Sequence, residues 1–314
     1  MPYPISPLCG DKLAQRPQAE YFEIACKTIL NRCSNRGMPF VWTVNPYRGC
    51  EFACTYCYAR YTHEFLGFEK WEEFEKKIFV KVKGVEALLG QLKPGRFTGQ
   101  GIAVGTATDP YQPAEARYKL TRRLLELFSQ FRGLDLSITT KSTLIGRDLD
   151  LLETLAQRSR VSVRITITTL KSELARILEP HAPDPSARLR TLARLREAGI
   201  RAGVNAMPIL PGITDSFAEM DSLFAGAKAA GAQFIGTSVL FLTCAPTRVR
   251  YLGFLKEHFP HLVKGHENYT RASPHYTAQI HSLCERLRTK HQLSAREESD
   301  PLPEPEQLDL FGCT

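Results

Sequence analysis

From residue 38 onward, apolar and polar positions fall into short strand-like runs separated by longer helix-like stretches. The pattern predicts strands near 39–45, 101–108, 134–141, 161–168, 201–208 and 233–240. Helices are predicted between them near 113–131, 147–158, 184–198 and 216–230, with another near 246–259. Alternating β and α predicts parallel strands joined by right-handed crossovers, an α/β fold. Helix ends are marked by Pro113 at a first helical position with Glu115 in the first turn, and by the capping-box spacing of Ser216 and Glu219. Gly199 and Gly231 fit helix stops. The 55–92 segment breaks the rhythm; its charged, aromatic-rich sequence reads as a helix followed by an extra strand.

Strand parity carries more information. A parallel sheet covered by helices on both faces reads as almost continuously apolar. Here one parity is polar: Asp135, Ser137, Thr139 and Lys141 on one strand, then Ser162, Arg164, Thr166 and Thr168 on the next. Side chains alternate faces along a strand. One face of the sheet is therefore polar, as expected inside an open barrel that holds a charged ligand; an edge strand wetted on one side is the plainer alternative.

Four regions are expected: a polar lead over 1–37, the barrel over 38–262, a basic helical extension over 263–294 with its helix near 273–291, and an acidic, Pro-rich tail over 295–314 expected to be disordered. At 314 residues, 43% hydrophobic and 24% charged, the composition is that of a globular chain able to bury a large core without disulfides. Lys+Arg number 41 against 33 Asp+Glu, a formal charge of +8, which favours a polyanionic partner such as nucleic acid over a membrane. A mildly basic solvated surface is the bland reading. No apolar run is long enough to span a bilayer and the N-terminus lacks the apolar segment of a signal peptide. With an odd count of nine cysteines, the expected setting is a reducing cytoplasm in which clustered thiols mean metal or catalysis.

Those thiols cluster once, in NPYRGCEFACTYCYAR (45–60), where Cys50, Cys54 and Cys57 have C-x3-C-x2-C spacing. Three close thiolates suit a [4Fe–4S] cluster and leave its fourth iron open as a chemical position. Such an iron can chelate the amino and carboxylate groups of S-adenosylmethionine (SAM), and reduction of the sulfonium then yields a 5′-deoxyadenosyl radical. Three alternatives stand beside this reading. They are a zinc site completed by His63, an electron carrier with a fourth cysteine, and incidental buried cysteines.

The motif, with an aromatic before its third cysteine, resembles the signature of the radical SAM superfamily. NPYRGC…CTYCYAR is similar to the spore photoproduct lyase-like branch, which acts or is presumed to act on thymine photodimers in DNA. The resemblance runs over roughly residues 26–260. It implies a partial (β/α)6 TIM-type barrel with the cluster at the C-terminal strand ends, where barrel enzymes place their chemistry. It further implies that Tyr56 packs on the cluster loop near the adenine, and that Thr108 and Asp109 of GTATDPYQP stand where the family has a Ser-Asp pair. Lys141 would pair with the SAM carboxylate, and Thr166 would bond the ribose or carboxylate. Asn205, with Pro208 and Pro211 in VNAMPILPG, would meet the adenosine. Glu179, Pro180 and Arg188 resemble a loop-fixing ion-pair motif. Read without the resemblance, Lys141 is a strand-end lysine and the threonines ordinary β-branched strand residues.

One position departs from the branch: the hydrogen-donor cysteine is replaced by Thr106, a far poorer hydrogen-atom donor. Tyr58 matches a tyrosine able to relay a hydrogen atom. Cys244 ends the sixth predicted strand and can reach the barrel mouth, although a small buried cysteine is its simpler role.

The tail holds Gln307, Leu308, Asp309, Leu310 and Phe311, a QLDLF pentapeptide that resembles the motif by which bacterial polymerases and repair proteins dock on the DNA sliding clamp. A chance apolar cluster is the alternative. Arg286, Arg288, Lys290 and His291 of the basic helix either touch phosphates or form a solvated face. Three functions follow: a radical SAM enzyme acting on DNA, the same chemistry on RNA or a small molecule, and a non-catalytic iron–sulfur or zinc module bound to DNA through the clamp. The enzymes would also need an electron donor such as flavodoxin or ferredoxin.

Overall fold

The computed structural model describes residues 6–7, 19–35, 37–92, 97 and 100–296. The described strands are β1 (Ser6–Pro7), β2 (Glu20–Glu23), β3 (Leu30–Arg32), β4 (Trp42–Val44), β5 (Tyr47–Arg48), β6 (Lys77–Val80), β7 (Gly101–Val104), β8 (Asp135–Thr140), β9 (Arg160–Thr166), β10 (Arg201–Ile209) and β11 (Ile235–Val239). The helices are α1 (Tyr61–Glu64), α2 (Glu73–Lys76), α3 (Gly84–Gln91), α4 (Pro113–Tyr118), α5 (Leu120–Phe128), α6 (Leu149–Ala156), α7 (Ser172–Leu178), α8 (Pro185–Glu197), α9 (Phe217–Ala229), α10 (Ala245–His258), α11 (Val263–His266) and α12 (Pro274–His291).

Six strands, β4, β7, β8, β9, β10 and β11, run parallel in that spatial order and leave a partial barrel. These are the six strands that the pattern predicts. Along β8, Leu136, Ile138 and Thr140 are buried under the outer helices while Asp135, Ser137 and Thr139 are half-buried on the inner face, as the polar parity requires. Close approach replaces side chains at one point. A Cβ on Gly203 of β10 would lie 2.3 Å from the carbonyl oxygen of Phe234, so only glycine fits.

The open barrel leaves two edges, and both are covered. β3 pairs antiparallel with β4. On the far side Arg288 of α12 donates to the carbonyl of Ile235 at 3.1 Å and to Thr237 at 2.7 Å, and the amide of Ile235 donates to Ser294 at 2.9 Å. Arg288 is thus buried against β11, and Lys290 and His291 both pair with Asp221 of α9. Of the basic residues expected on a phosphate-binding or solvated helix face, Arg288 instead serves packing, while Lys290 stays exposed in its ion pair.

Two further expectations are corrected. The 1–37 lead contains β2 and β3: β2 joins β1, β6 and β5 in a four-stranded sheet, and the expected extra strand β6 follows α2 directly. The single helix predicted over 113–131 is broken at Lys119, whose φ is 50°. The buried carboxylate of Glu115 causes the break, accepting the amides of Thr121 (2.8 Å) and Arg122 (3.2 Å) and so capping α5. The segment α7 was not predicted. Among the described residues no helix is long and apolar enough to cross a membrane. The tail from 297 on, including 307–311, lies outside the described residues.

Candidate active site at the cysteine loop

The loop of the three cysteines leaves β5 through Gly49, whose φ of +87° and whose contacts both demand glycine: a Cβ there would meet the carbonyl oxygens of Lys77 at 2.7 Å and Phe74 at 2.9 Å. From this turn the loop is strapped down by four parts of the chain. On one side, the Cys50 amide donates to Phe74 at 3.0 Å. At the end of β7, Thr108 donates to the Gly49 carbonyl at 2.6 Å, and Gln112 reaches Gly49, Thr108 and the amide of Glu51. From the end of α7, Leu178 accepts the amide of Thr55 at 2.9 Å, and from the stretch after it His181 reaches the Glu51 carbonyl at 2.8 Å. From α10, Thr247 donates to the Cys57 carbonyl at 2.6 Å.

Cys50 and Cys54 are buried and Cys57 is half-buried. Burial pushes the Cys54 thiol up to about 12, against the opposing pull of the Lys141 ammonium. Cys50 is raised by burial first, then by Asp109 and by its two fellow thiols; burial also raises Cys57. The three groups are therefore near enough to oppose one another's ionisation. Among the described residues no three His, Cys, Asp or Glu side chains are arranged round one ion. What fits a metal group here is the donor chemistry: three soft thiols in one strapped loop, whose protons a bound cation would displace. His63 does not join them. Its Nε2 lies 2.9 Å from the carbonyl of Lys77 and its ring packs among Phe68, Phe74 and Phe79. Burial lowers this imidazole to about 4.

Facing the loop is a network centred on Glu179. Its buried carboxylate accepts the Tyr56 hydroxyl, pairs with Arg188 at 2.5 Å and lies 3.9 Å from the Lys141 ammonium. Burial by itself would lower Lys141; Cys54 and Glu179 outweigh it, and the ammonium is held above its usual range. Lys141 also lies 5.6 Å from the centre of the Tyr56 ring. Asp109 supports it from behind, accepting the Lys141 amide at 2.7 Å and the Thr140 hydroxyl at 2.6 Å. Arg188 ties the network to β9 through the carbonyl of Thr166 at 3.0 Å. Inside the barrel Asn205 reaches the Thr166 hydroxyl at 3.4 Å.

At the outer rim, Tyr58 is 41% exposed, its hydroxyl on the carbonyl of Thr106 and its ring 5.5 Å from that of Phe241. Cys244 at the start of α10 places its sulfur 3.6 Å from the Tyr58 carbonyl and 2.8 Å from the Thr247 hydroxyl. The side chain of Thr106 itself accepts a 3.1 Å bond from Asn45.

The structure thus gathers Cys50, Cys54, Cys57, Tyr56, Asp109, Lys141, Glu179 and Arg188 at the C-terminal strand ends, links Thr166 to Asn205 below them, and sets Tyr58 and Cys244 at the rim. Thr108 and Asp109 both act on the protein's own backbone. The sequence reading missed Gln112 and Thr247, which carry no motif; only the surrounding DPYQP hinted at the first.

The family model of the radical SAM superfamily matches residues 44–224. The uncharacterized protein Rv2578c of Mycobacterium tuberculosis is 36% identical over 301 residues, covering 93% of this chain and 88% of that protein. The uncharacterized protein MJ0683 of Methanocaldococcus jannaschii is 33% identical over 196 residues, 62% of this chain and 70% of its own length. Among solved structures, a spore photoproduct lyase mutant with bound AdoMet and dinucleoside spore photoproduct aligns with a TM-score of 0.60 at 13% identity, over 83% of this chain and 76% of that one. The lyase complexed with dinucleoside spore photoproduct likewise gives 0.60 at 13% identity, over 86% and 79%. These structural likenesses are likenesses of fold.

Proposed function

The chain belongs to the radical SAM superfamily, and from that premise we propose that Cys50, Cys54 and Cys57 hold a [4Fe–4S] cluster for SAM cleavage directed at a nucleic acid, a damaged pyrimidine in DNA. The observation that carries the reading is the placing of three thiols in one strapped loop opposite the Lys141 ammonium. When bound, the cluster supplies the electron that splits the C–S bond of SAM and sets free a hydrogen-abstracting 5′-deoxyadenosyl radical.

The chain's own residues position and shield. Lys141, anchored through its backbone by Asp109, offers its cation to the SAM carboxylate. Thr166 and Asn205 present a hydroxyl and an amide within the barrel to the ribose and adenosine. Glu179 and Arg188 fix Tyr56, which stands in the loop between Cys54 and Cys57. At the rim Tyr58 and Cys244 stand where substrate would enter. A thiol S–H is a far better hydrogen-atom donor than the hydroxyl of Thr106, so Cys244 takes the donor role, with Tyr58 as relay.

Support for a nucleic-acid substrate comes from the +8 charge and from the fold shared with a lyase that binds a dinucleoside photoproduct. The QLDLF pentapeptide, Gln307 to Phe311, adds the sliding clamp as a partner, and a cytoplasmic flavodoxin or ferredoxin would supply the electron. The test is anaerobic reconstitution followed by SAM and dithionite. 5′-Deoxyadenosine should form, Cys54→Ala should abolish it, and irradiated DNA should lose its lesions. Ample SAM cleavage with unchanged lesions would overturn the DNA substrate and favour RNA or a small molecule. Deleting 307–311 should remove clamp binding and spare SAM cleavage; retained clamp binding excludes that motif.

A further inference from the structure

A groove of about 710 Å³ opens between the 64–72 stretch and the first turns of α10, outside the barrel. Phe68, Trp71, Pro246 and Val249 give it an apolar lining, and Val249 is 60% exposed. On the same stretch Phe65 is 75% exposed, so the apolar surface continues past the groove. Three carboxylates, Glu64, Glu69 and Glu72, line it against one cation, Lys70; Glu72 also attracts Arg250, while Glu64 and Glu69 have no ion-pair partner among the described residues. On a chain of net charge +8 this is a local inversion of sign.

That sign decides the occupant. A nucleic-acid phosphate is repelled here, so the groove does not extend the proposed substrate path. The acidic 295–314 segment is repelled likewise. A small polycation would satisfy the carboxylates but leave the apolar lining wet. Trp71 cannot serve as an aromatic cage for a ligand cation, because the guanidinium groups of Arg250 (4.6 Å) and Arg60 (5.5 Å) already lie on its ring.

We propose that this groove docks a basic, apolar-anchored segment of a partner protein: a Leu- or Phe-sized side chain on the lining, flanked by Lys or Arg facing Glu64, Glu69 and Glu72. The position is close to the reactive loop. One wall follows Cys57 directly through residues 58–60 into α1, and the other is bonded to the Cys57 carbonyl through Thr247. The proposal does not rest on the substrate assigned above.

The probe is a short fluorescein-labelled Lys/Leu peptide titrated by anisotropy against the full reconstituted chain. Binding should weaken at least about tenfold, or 1.4 kcal/mol, in the triple variant Glu64→Gln, Glu69→Gln, Glu72→Gln. A similar loss is expected in Val249→Ser, which leaves the charge unchanged and spoils the lining. SAM cleavage at the parent rate in both variants shows that the fold and the cysteine loop are intact. A Glu/Leu peptide and a dT oligonucleotide should not compete. Equal affinity of the triple variant, or a Lys-only peptide binding as tightly as the Lys/Leu peptide, overturns the proposal. Peptide binding is read without SAM, so its failure and failure of the enzymatic reading are separate outcomes.

Discussion

Thr247, in the first turn of α10, donates a 2.6 Å hydrogen bond to the carbonyl of Cys57 across 190 residues of sequence. The third cysteine of the loop is therefore held by a helix that follows the last barrel strand. Thr247→Val keeps the shape and leaves that carbonyl without its donor, a loss of about 1–3 kcal/mol for a buried group. The reconstituted variant should bleach faster in the presence of an iron chelator while unfolding in the same cooperative step. An unchanged bleaching rate would show that the bond does nothing for the loop.

Arg188 and Glu179 are both fully buried. Arg188→Met removes the cation and leaves the carboxylate with Tyr56, Thr168 and the more distant Lys141. Breaking a buried pair on one side costs roughly 3–5 kcal/mol, so urea denaturation should show a large loss of stability. A change below about 1 kcal/mol would mean that Lys141 moves in to compensate.

Lys141→Met removes the inward cation facing the loop. Losing a charged hydrogen-bond partner for the SAM carboxylate should weaken SAM binding by roughly 1.5–3 kcal/mol, about 10- to 150-fold. Equilibrium dialysis with labelled SAM measures it, and affinity equal to that of the parent would remove Lys141 from the cofactor site.

Cys244→Ser exchanges the rim thiol for a hydroxyl of similar size. SAM cleavage should persist while lesion reversal on irradiated DNA is lost. Full lesion reversal would assign the hydrogen donor elsewhere.

His63 sets a pH dependence of known sign. Its folded-state value, about 4, lies below the ordinary 6.5, so the unfolded chain binds the extra proton first as pH falls. Its contribution is fully present above 6.5 and is lost between 6.5 and 4, about 2.5 kcal/mol by pH 4.5. Denaturation of the parent and of His63→Gln at pH 7 and pH 4.5 should show a smaller acid penalty in the variant. Equal penalties would show that His63 can be protonated without cost.

The one-dimensional pattern carried the six parallel strands, because helices on one side and a polar interior on the other impose strict alternation: Leu136 and Ile138 had to face out and Ser137 and Thr139 in. It carried the cysteine loop too, because Cys50, Cys54 and Cys57 lie within eight residues of sequence, where a single loop brings all three thiols together. Strands β2 and β3 were not legible, being four and three residues long, too few to show a period. The break at Lys119 was hidden because the cap that causes it is a long-range buried carboxylate, Glu115, held also by Tyr47 and Arg147. Arg288 and Thr247 gave no signal, since a side chain's target is fixed by which distant backbone the fold brings beside it. Only the assembled tertiary structure put Glu179 between Tyr56, Arg188 and Lys141, and turned three carboxylates of an ordinary charged stretch into one side of a groove.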